Sequence, residues 1–194
     1  TFIVVGQGVN AQDFVFSQFY ANPLYLNPAL AGSKVCPRFS LNYRNQWPGL
    51  VSAFTTVSAS YDQYFDKLHG GIGAFVLTDR QGDHGALKTN QVSFMYSFRF
   101  QLSRTIFMNA GLQASLVNEN LDWSTLTFPD QIDPVYGFIF ETGAVPPDDM
   151  NIFYADFNAG LLVYSKKWYG GLAVSHLTQP SNGFYGLSEL PMKI

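Results

Sequence analysis

Residues that could carry out chemistry are few in this chain, and they are scattered. The three histidines, His69, His84 and His176, lie in different segments without the spacing of metal ligands. Ser175 directly precedes His176, so on a strand their side chains point to opposite faces and cannot form a nucleophile–base pair. Asp83 and His84 lie on a polar loop, and no serine is identified that could serve as their nucleophile. The sequence therefore predicts no catalytic, cofactor or metal site, and a hydrolase is the weakest of the functions we consider.

Other ligand-binding classes are equally poorly supported. The formal net charge is −3 and there is no basic cluster, so the chain lacks a nucleic-acid-binding signature. The run Gly70-Gly71-Ile72-Gly73 begins a strand instead of joining a strand to a helix, so it predicts close strand packing and not a phosphate loop. Cys36 is the only cysteine, which excludes an internal disulfide, and we expect it to pack as a small apolar residue.

The elements around these residues are predicted to be long strands, most clearly over residues 89–117. Apolar and polar residues alternate there about a tight turn at 101–104, which predicts a hairpin with one apolar and one polar face. We expect Phe94, Tyr96 and Phe98 to face lipid. On the opposite face, Ser93, Ser97 and Arg99 are expected to face a lumen.

Strand length separates two possible fold classes. Strands of soluble proteins usually run about 5–6 residues, whereas strands of ten or more with one apolar face suit a membrane β-barrel. Charged residues make up 13% of the chain and aromatic residues 16%, yet no run of eighteen apolar residues exists. We therefore predict an all-β fold, an antiparallel transmembrane β-barrel of the outer-membrane type. A soluble β-sandwich with an aromatic core is the alternative.

Seven strands are expected within residues 38–194, which we interpret as a partial barrel because the chain stops without a terminal aromatic strand. The predicted strands are Arg38–Arg44, Val51–Tyr61, Gly70–Thr78, Thr89–Phe100, Thr105–Val117, Ile152–Ser165 and Trp168–Leu177. If the first strand runs outward, the tight turns 101–104 and 166–167 fall on the inner side and the long connection 118–151 falls outside. Outer-membrane barrels have the same asymmetry of loop length.

The long connection is too aromatic for a disordered linker. We predict that it forms a partner-binding surface together with the first outer turn, because large aromatic side chains anchor protein interfaces. The candidate partner-binding residues are Trp47, Trp123, Phe128, Tyr136, Phe138 and Phe140. Glu141, Asp148 and Asp149 would form an acidic rim. The alternative is a loop folded over its own barrel mouth. Residues 138–140 could also form a short strand that extends the barrel wall above the membrane.

The amino-terminal residues suggest two further segments. Residues 1–11 look like the remnant of a signal peptide that ends at a small-residue cleavage site, although a first strand is the alternative. Residues 12–37 are expected to form a periplasmic segment or a plug of the lumen. Two Asn-Pro steps in this segment predict short helical turns that are capped by asparagine and have proline at the first helical position.

Polar residues on the expected lumen face bear on a competing function. Arg99, Gln101, Asn109, Gln113, Asp156 and Asn158 would supply a partly polar lumen. Arg99 and Asp156 either form an ion pair there or are separately hydrated. A polar, unobstructed lumen would make the protein an outer-membrane pore or transporter for a small solute.

Four stretches resemble the PorP/SprF family of Bacteroidota, outer-membrane proteins of the type IX secretion and gliding-motility apparatus. They are residues 12–18 (QDFVFSQ), 22–32 (NPLYLNPALAG), 43–48 (YRNQWP) and 169–177 (YGGLAVSHL). The resemblance implies an outer-membrane barrel without catalysis or cofactor. It also implies a role in secretion or surface anchoring, with secretion-system components or secreted surface adhesins as partners.

Overall fold

The computed structural model describes residues 19–34, 36–49, 53–82, 85–133, 135–184 and 189–194. The predicted signal-peptide remnant and the Asp83–His84 pair lie outside these ranges. Within these ranges, a short helix α1 (Pro23–Leu26) and five 3₁₀ turns accompany nine strands. The 3₁₀ turns are Phe19–Ala21, Pro28–Leu30, Asp66–Leu68, Trp123–Thr125 and Pro129–Gln131. The strands are β1 (Arg38–Gln46), β2 (Phe54–Phe65), β3 (Gly70–Gln81), β4 (Leu87–Gln101), β5 (Ile106–Leu121), β6 (Ile132–Asp133), β7 (Gly137–Phe138), β8 (Asn151–Ser165) and β9 (Tyr169–Val174).

Seven of these strands form one antiparallel sheet in the order β1-β2-β3-β4-β5-β8-β9. Each of its strands pairs with its neighbour in continuous register, for example Phe94 opposite Ala114 and Ala114 opposite Phe157. The sheet has the architecture of half an outer-membrane β-barrel, which confirms the predicted fold class and the seven strands. The short strands β6 and β7 form a separate hairpin within the connection between β5 and β8.

Alternation along the strands gives the sheet two different faces. On β4, Phe94 is 63% exposed on the outward face while the adjacent Ser93 is completely buried on the inner face. Tyr96 is likewise exposed and Ser97 buried. The outward face is apolar across the sheet, with exposed Phe39, Leu41, Tyr43, Val57, Ile72, Val76, Val92, Phe94, Leu112, Leu116, Phe153, Phe157 and Leu172. The predicted division of β4 into an apolar and a polar face is therefore confirmed.

The connections lie at two edges of the sheet because consecutive sheet strands run antiparallel. The turn edge carries the short connections after β2, β4 and β8. The loop edge carries the turn after β1, the connection after β3 and the long loop, residues 122–150, between β5 and β8. The predicted separation of tight turns from the long loop is thus confirmed, although β5 and β8 extend further than expected and shorten that loop.

The carboxyl-terminal strand is shorter than predicted. β9 ends at Val174 and not at Leu177. His176 has a φ of 58°, in the left-handed region that an extended strand cannot contain. Ser175 still forms an isolated bridge with Lys193, so the chain after β9 turns back along the strand end.

Candidate functional site: a segment docked on the inner face and an exposed loop

Residues 22–32, here called the docked segment, lie against the inner face of the sheet. Its two Asn-Pro steps place Pro23 first in α1 and Pro28 first in the following 3₁₀ turn, where the missing N–H costs nothing. The side chain of Asn27 accepts a hydrogen bond from the Ala29 nitrogen at 2.8 Å and so caps that turn. Asn22 does not cap α1, since its side chain accepts no hydrogen bond from the first turn; its side-chain nitrogen donates to the Ser58 hydroxyl on β2 at 3.3 Å.

The docked segment supplies part of the hydrophobic core. Leu24 and Ala31 are buried with Phe75 and Leu77 of β3 and with Met95 of β4. The ring of Tyr25 packs on Phe75 with 5.9 Å between ring centroids. The inner face of the sheet would otherwise expose these apolar side chains, so burying them favours docking of the segment.

Polar side chains of the sheet complete the attachment. Asn27 donates to the carbonyl oxygens of Leu161 on β8 and Leu172 on β9, at 3.3 and 3.1 Å. Ser97 of β4 and Asn109 of β5 both donate to the Ala29 carbonyl at 3.1 Å. The backbone of a short irregular segment is thereby paired away from water, which such a segment requires when it is buried.

Asp62 on β2 is the charged centre of this attachment. It is 2% exposed and accepts a hydrogen bond from the Gly32 nitrogen at 2.8 Å. The guanidinium of Arg38 donates to both of its carboxylate oxygens, at 2.8 and 3.0 Å, and also reaches the Leu30 carbonyl. A buried carboxylate is stable only when it is paired in this way. One side chain therefore joins β1, β2 and the end of the docked segment.

Glycines in three strands allow the segment to approach the sheet. A Cβ atom on Gly71 would stand 2.3 Å from the Ala31 oxygen, and one on Gly111 would stand 2.3 Å from the Ala29 nitrogen. A Cβ on Gly160 would stand 2.0 Å from the side-chain oxygen of Asn27. Real Cβ atoms do not approach other atoms so closely, so these glycines form a track for the docked segment.

The predicted role of the Gly70–Gly73 run is correct for only part of it. Gly70 does allow close strand packing, since its Cβ would stand 2.2 Å from the Ser97 oxygen on β4. Gly71 instead makes room for the docked segment. The expectation for Cys36 is wrong: this residue is exposed, because it lies in the connection that enters β1.

Arg99 and Asp156 do not form the ion pair that we considered. Arg99 donates to the Gly32 carbonyl at 3.0 Å, and its guanidinium lies 4.4 Å from the centre of the Tyr64 ring. Asp156 lies 3.1 Å from the Nδ1 atom of His176. The register explains the separation, because Arg99 is level with Asn109 and therefore with Leu162. Six residues of β8 separate that level from Asp156, about 20 Å at the rise of a strand.

A cavity of about 670 Å³ remains on the inner face beside the docked segment. Polar and charged groups from β5 and β8 line it, including Gln113, Glu119 and Asp156. Leu26, Leu162 and several other apolar residues line it as well. Within the described ranges, no group of three or more histidine, cysteine, aspartate or glutamate residues is arranged to hold a metal ion.

At the loop edge, carboxylates of the long loop accept hydrogen bonds from its own backbone. Asp133 accepts hydrogen bonds from the nitrogens of Val135 and Tyr136 at 2.7 and 2.9 Å, which shapes the β6–β7 turn. Asp130 accepts one from the Gly143 nitrogen at 2.7 Å, so the returning chain is tied to the start of the hairpin. The loop therefore has a defined shape of its own.

Apolar side chains project from this hairpin into solvent. We call them the apolar tip: Ile132, Val135, Tyr136, Phe138, Ile139 and Phe140, each about half exposed or more. Three of the predicted partner-binding residues, Tyr136, Phe138 and Phe140, belong to the tip. The sequence-based prediction omitted its aliphatic members, although Val135 and Ile139 lie directly beside the predicted aromatic residues in the sequence.

The other predicted partner-binding residues lie elsewhere. Trp123 and Phe128 are only partly exposed and pack against each other, with 4.9 Å between ring centroids. Trp47 is 55% exposed on the turn after β1, where it packs edge-on against Phe54. Trp47 follows β1 and the long loop follows β5, four strand spacings or about 19 Å away along the sheet. The predicted set is thus divided among an exposed tip, a packed pair and a distant tryptophan.

Together, these features define a class of protein. A half-barrel of long antiparallel strands, with an apolar outer face and a mainly polar inner face, is the wall of a membrane β-barrel protein. Among the described residues, no helix is long and apolar enough to cross a membrane.

Comparison with known proteins gives the family. The family model described as type IX secretion system membrane protein PorP/SprF matches residues 8–194. The chain therefore belongs to the PorP/SprF family, as the resemblance of its four stretches predicted. It is a membrane protein of type IX secretion. No curated protein and no solved structure matches it significantly.

Proposed function

We propose that this protein is a non-enzymatic outer-membrane scaffold that supports secretion or surface anchoring of partner proteins. The outward aromatic face would contact the lipid of the outer membrane. The turn edge would face the periplasm and the loop edge the cell exterior, the arrangement of short turns and long loops that outer-membrane barrels favour.

The apolar tip carries this proposal. Tyr136 is 76% exposed and Phe138 62%, although their hairpin is held in place by Asp130 and Asp133. An exposed apolar patch on an ordered element usually marks a contact surface. Because the backbone is already fixed, a partner would bind without the cost of ordering the loop. Secretion-system components or secreted surface adhesins are the candidate partners.

In this proposal the docked segment is a plug. Contacts with β1, β2, β3, β4, β5, β8 and β9 hold it, and the glycine track leaves little space beneath it. These contacts favour a scaffold over an open channel.

Loss of the apolar tip tests the scaffold function. In cells that produce the full-length protein, residues 132–140 are replaced by a glycine–serine linker. We expect the barrel to remain folded and heat-modifiable in gel electrophoresis, while secretion or surface retention of adhesins is lost. As a control, the turn 102–104 is replaced in the same way, which should leave adhesins at the surface. Normal display of adhesins by the tip variant would contradict the proposal.

A pore for a small solute is the second candidate, and the inner-face cavity of about 670 Å³ favours it. Single-channel recording of the full-length protein in planar bilayers separates the two functions. A plugged scaffold is expected to show no steady conductance steps. Large, steady steps from the wild-type protein would support the pore.

A further inference from the structure

We infer that the partner surface recognised by the long loop is basic, that is, a polypeptide patch rich in lysine and arginine around an apolar recess. This inference rests on the proposed function and specifies the chemistry of the partner. It follows from the distribution of charge, which differs sharply between the long loop and the remainder of the chain.

The long loop is the most acidic part of the molecule. Residues 122–150 contain six aspartate or glutamate residues and no lysine, arginine or histidine. The other residues of the chain carry eight acidic and eleven basic side chains. The loop thus has a formal charge of −6, while the remainder has a formal charge of +3.

The turn edge has the opposite charge. Its three connections contain Lys67, Arg104, Lys166 and Lys167, with Asp66 as the only acidic residue. The short turns therefore carry a net positive charge, and the acidic character belongs to one edge and not to all connections.

The acidic residues flank the apolar tip along the chain. Glu141, Asp148 and Asp149 are exposed and follow the tip along the chain. Asp130 and Asp133 precede or lie within the hairpin, where they also hold its backbone. An exposed apolar patch flanked by charged residues matches the composition of protein interfaces, in which an apolar centre has a polar rim and charge helps to select the partner.

The same charges argue against other occupants. Anionic lipid headgroups would be repelled by six carboxylates, and so would a second copy of the loop. A neutral partner would bury the tip but leave the carboxylates partly desolvated without compensation. A basic surface around an apolar recess would bury the apolar tip and would also pair with the carboxylates of the loop.

Photo-crosslinking in membranes that contain the full-length protein tests the inference. Tyr136 is replaced by the photoreactive residue benzoylphenylalanine, and the crosslinked peptides are identified by mass spectrometry. We expect one discrete polypeptide whose crosslinked region has a net positive charge. The yield should fall roughly tenfold as sodium chloride rises from about 0.05 M to about 0.5 M, because salt screens exposed charges. The same group at Tyr43, on the outward face, should not capture this polypeptide.

A charge-reversed variant sharpens the test. Glu141→Lys, Asp148→Lys and Asp149→Lys are combined with the photoreactive group, while Asp130 and Asp133 stay intact so that the hairpin keeps its shape. We expect a loss of crosslinking of about tenfold or more. The matched variant Glu141→Gln, Asp148→Asn and Asp149→Asn should show an intermediate loss.

The outcomes separate this inference from the proposed function. A crosslinked polypeptide with a neutral or acidic contact region, or a yield that salt does not change, overturns the inference and leaves the scaffold function standing. Crosslinks to lipid or to a second copy of the chain also overturn it. If no crosslink forms and the linker variant displays adhesins normally, both proposals fail.

Discussion

The docked segment and the long loop are both irregular and both rich in proline and large apolar residues. The apolar side chains of the segment are mostly buried against the sheet, whereas those of the loop are mostly exposed. Leu24 of the segment is fully buried and its neighbours bond to several strands. Val135 of the loop is 80% exposed, and the loop's carboxylates bond to its own backbone. The segment is thus part of the fold, whereas the loop has a shape that the fold does not need. Substitutions should therefore affect stability in one region and partner binding in the other.

Asp62→Ala should have the largest effect on stability. It removes the acceptor of the Gly32 nitrogen and leaves Arg38 without its partner. We expect the free energy of unfolding to fall by about 3 kcal/mol, the lower end of the range for a broken buried ion pair, since Arg38 remains partly exposed. Chemical denaturation of the full-length protein in lipid vesicles measures the change. The control Asp66→Ala, in an exposed turn, should change stability by less than about 0.5 kcal/mol. Equal effects of the two variants would contradict the role assigned to Asp62.

Gly111→Ala tests the glycine track. The added methyl group would collide with the Ala29 backbone, which cannot move without breaking the hydrogen bonds of the segment. We expect a loss of about 1–3 kcal/mol, as for other overpacked sites. Gly170→Ala on β9 is the matched control, because no atom lies within 4 Å of its added Cβ. Single-channel recording adds a second measurement, since displacement of a plug should raise conductance in the Gly111 variant alone.

Asn27→Ala should have a smaller effect. It removes the cap on Ala29 and two hydrogen bonds to strand carbonyls, for an expected loss of about 1–2 kcal/mol. Limited proteolysis should then cleave the docked segment faster. The exposed Asn45→Ala is the control and should leave both stability and cleavage unchanged. If the Asn27 variant were cleaved at the wild-type rate, the docked segment would be held in place without this side chain.

The sequence predicted the strands well because a membrane wall needs strict alternation over long runs. Phe94 and Ser93 could be assigned to opposite faces from their positions alone. The end of β9 could not be predicted, since it depends on the left-handed backbone of His176. Histidine adopts that conformation more often than most residues, and His69 does so here as well, but still too rarely for the residue type to predict it.

Contacts that depend on the register of the strands could not be predicted from the sequence. The Asn-Pro steps predicted short helical turns, but not that Gly111 and Gly160 would lie beneath them. Arg99 and Asp156 were considered as a pair because both face inward, yet their levels on the sheet differ by about 20 Å. For the long loop, aromatic content indicated a surface, but it could not show that Tyr136 projects into solvent while Trp123 packs against Phe128.

The smallest effect on stability is expected at the apolar tip. Tyr136→Ser, Phe138→Ser and Phe140→Ser together should change the free energy of unfolding by less than about 0.5 kcal/mol, because these side chains are already exposed in the folded protein. The same variant should lose surface adhesins, which whole-cell immunolabelling measures. Tyr169→Ser removes a tyrosine that is 83% exposed on the inner side of β9, and it should affect neither quantity. If the tip variant were destabilised as strongly as Gly111→Ala, the tip would belong to the fold, and its division from the docked segment would be wrong. If it stayed both stable and fully active, the partner surface would have to be sought at the turn edge, beside the docked segment.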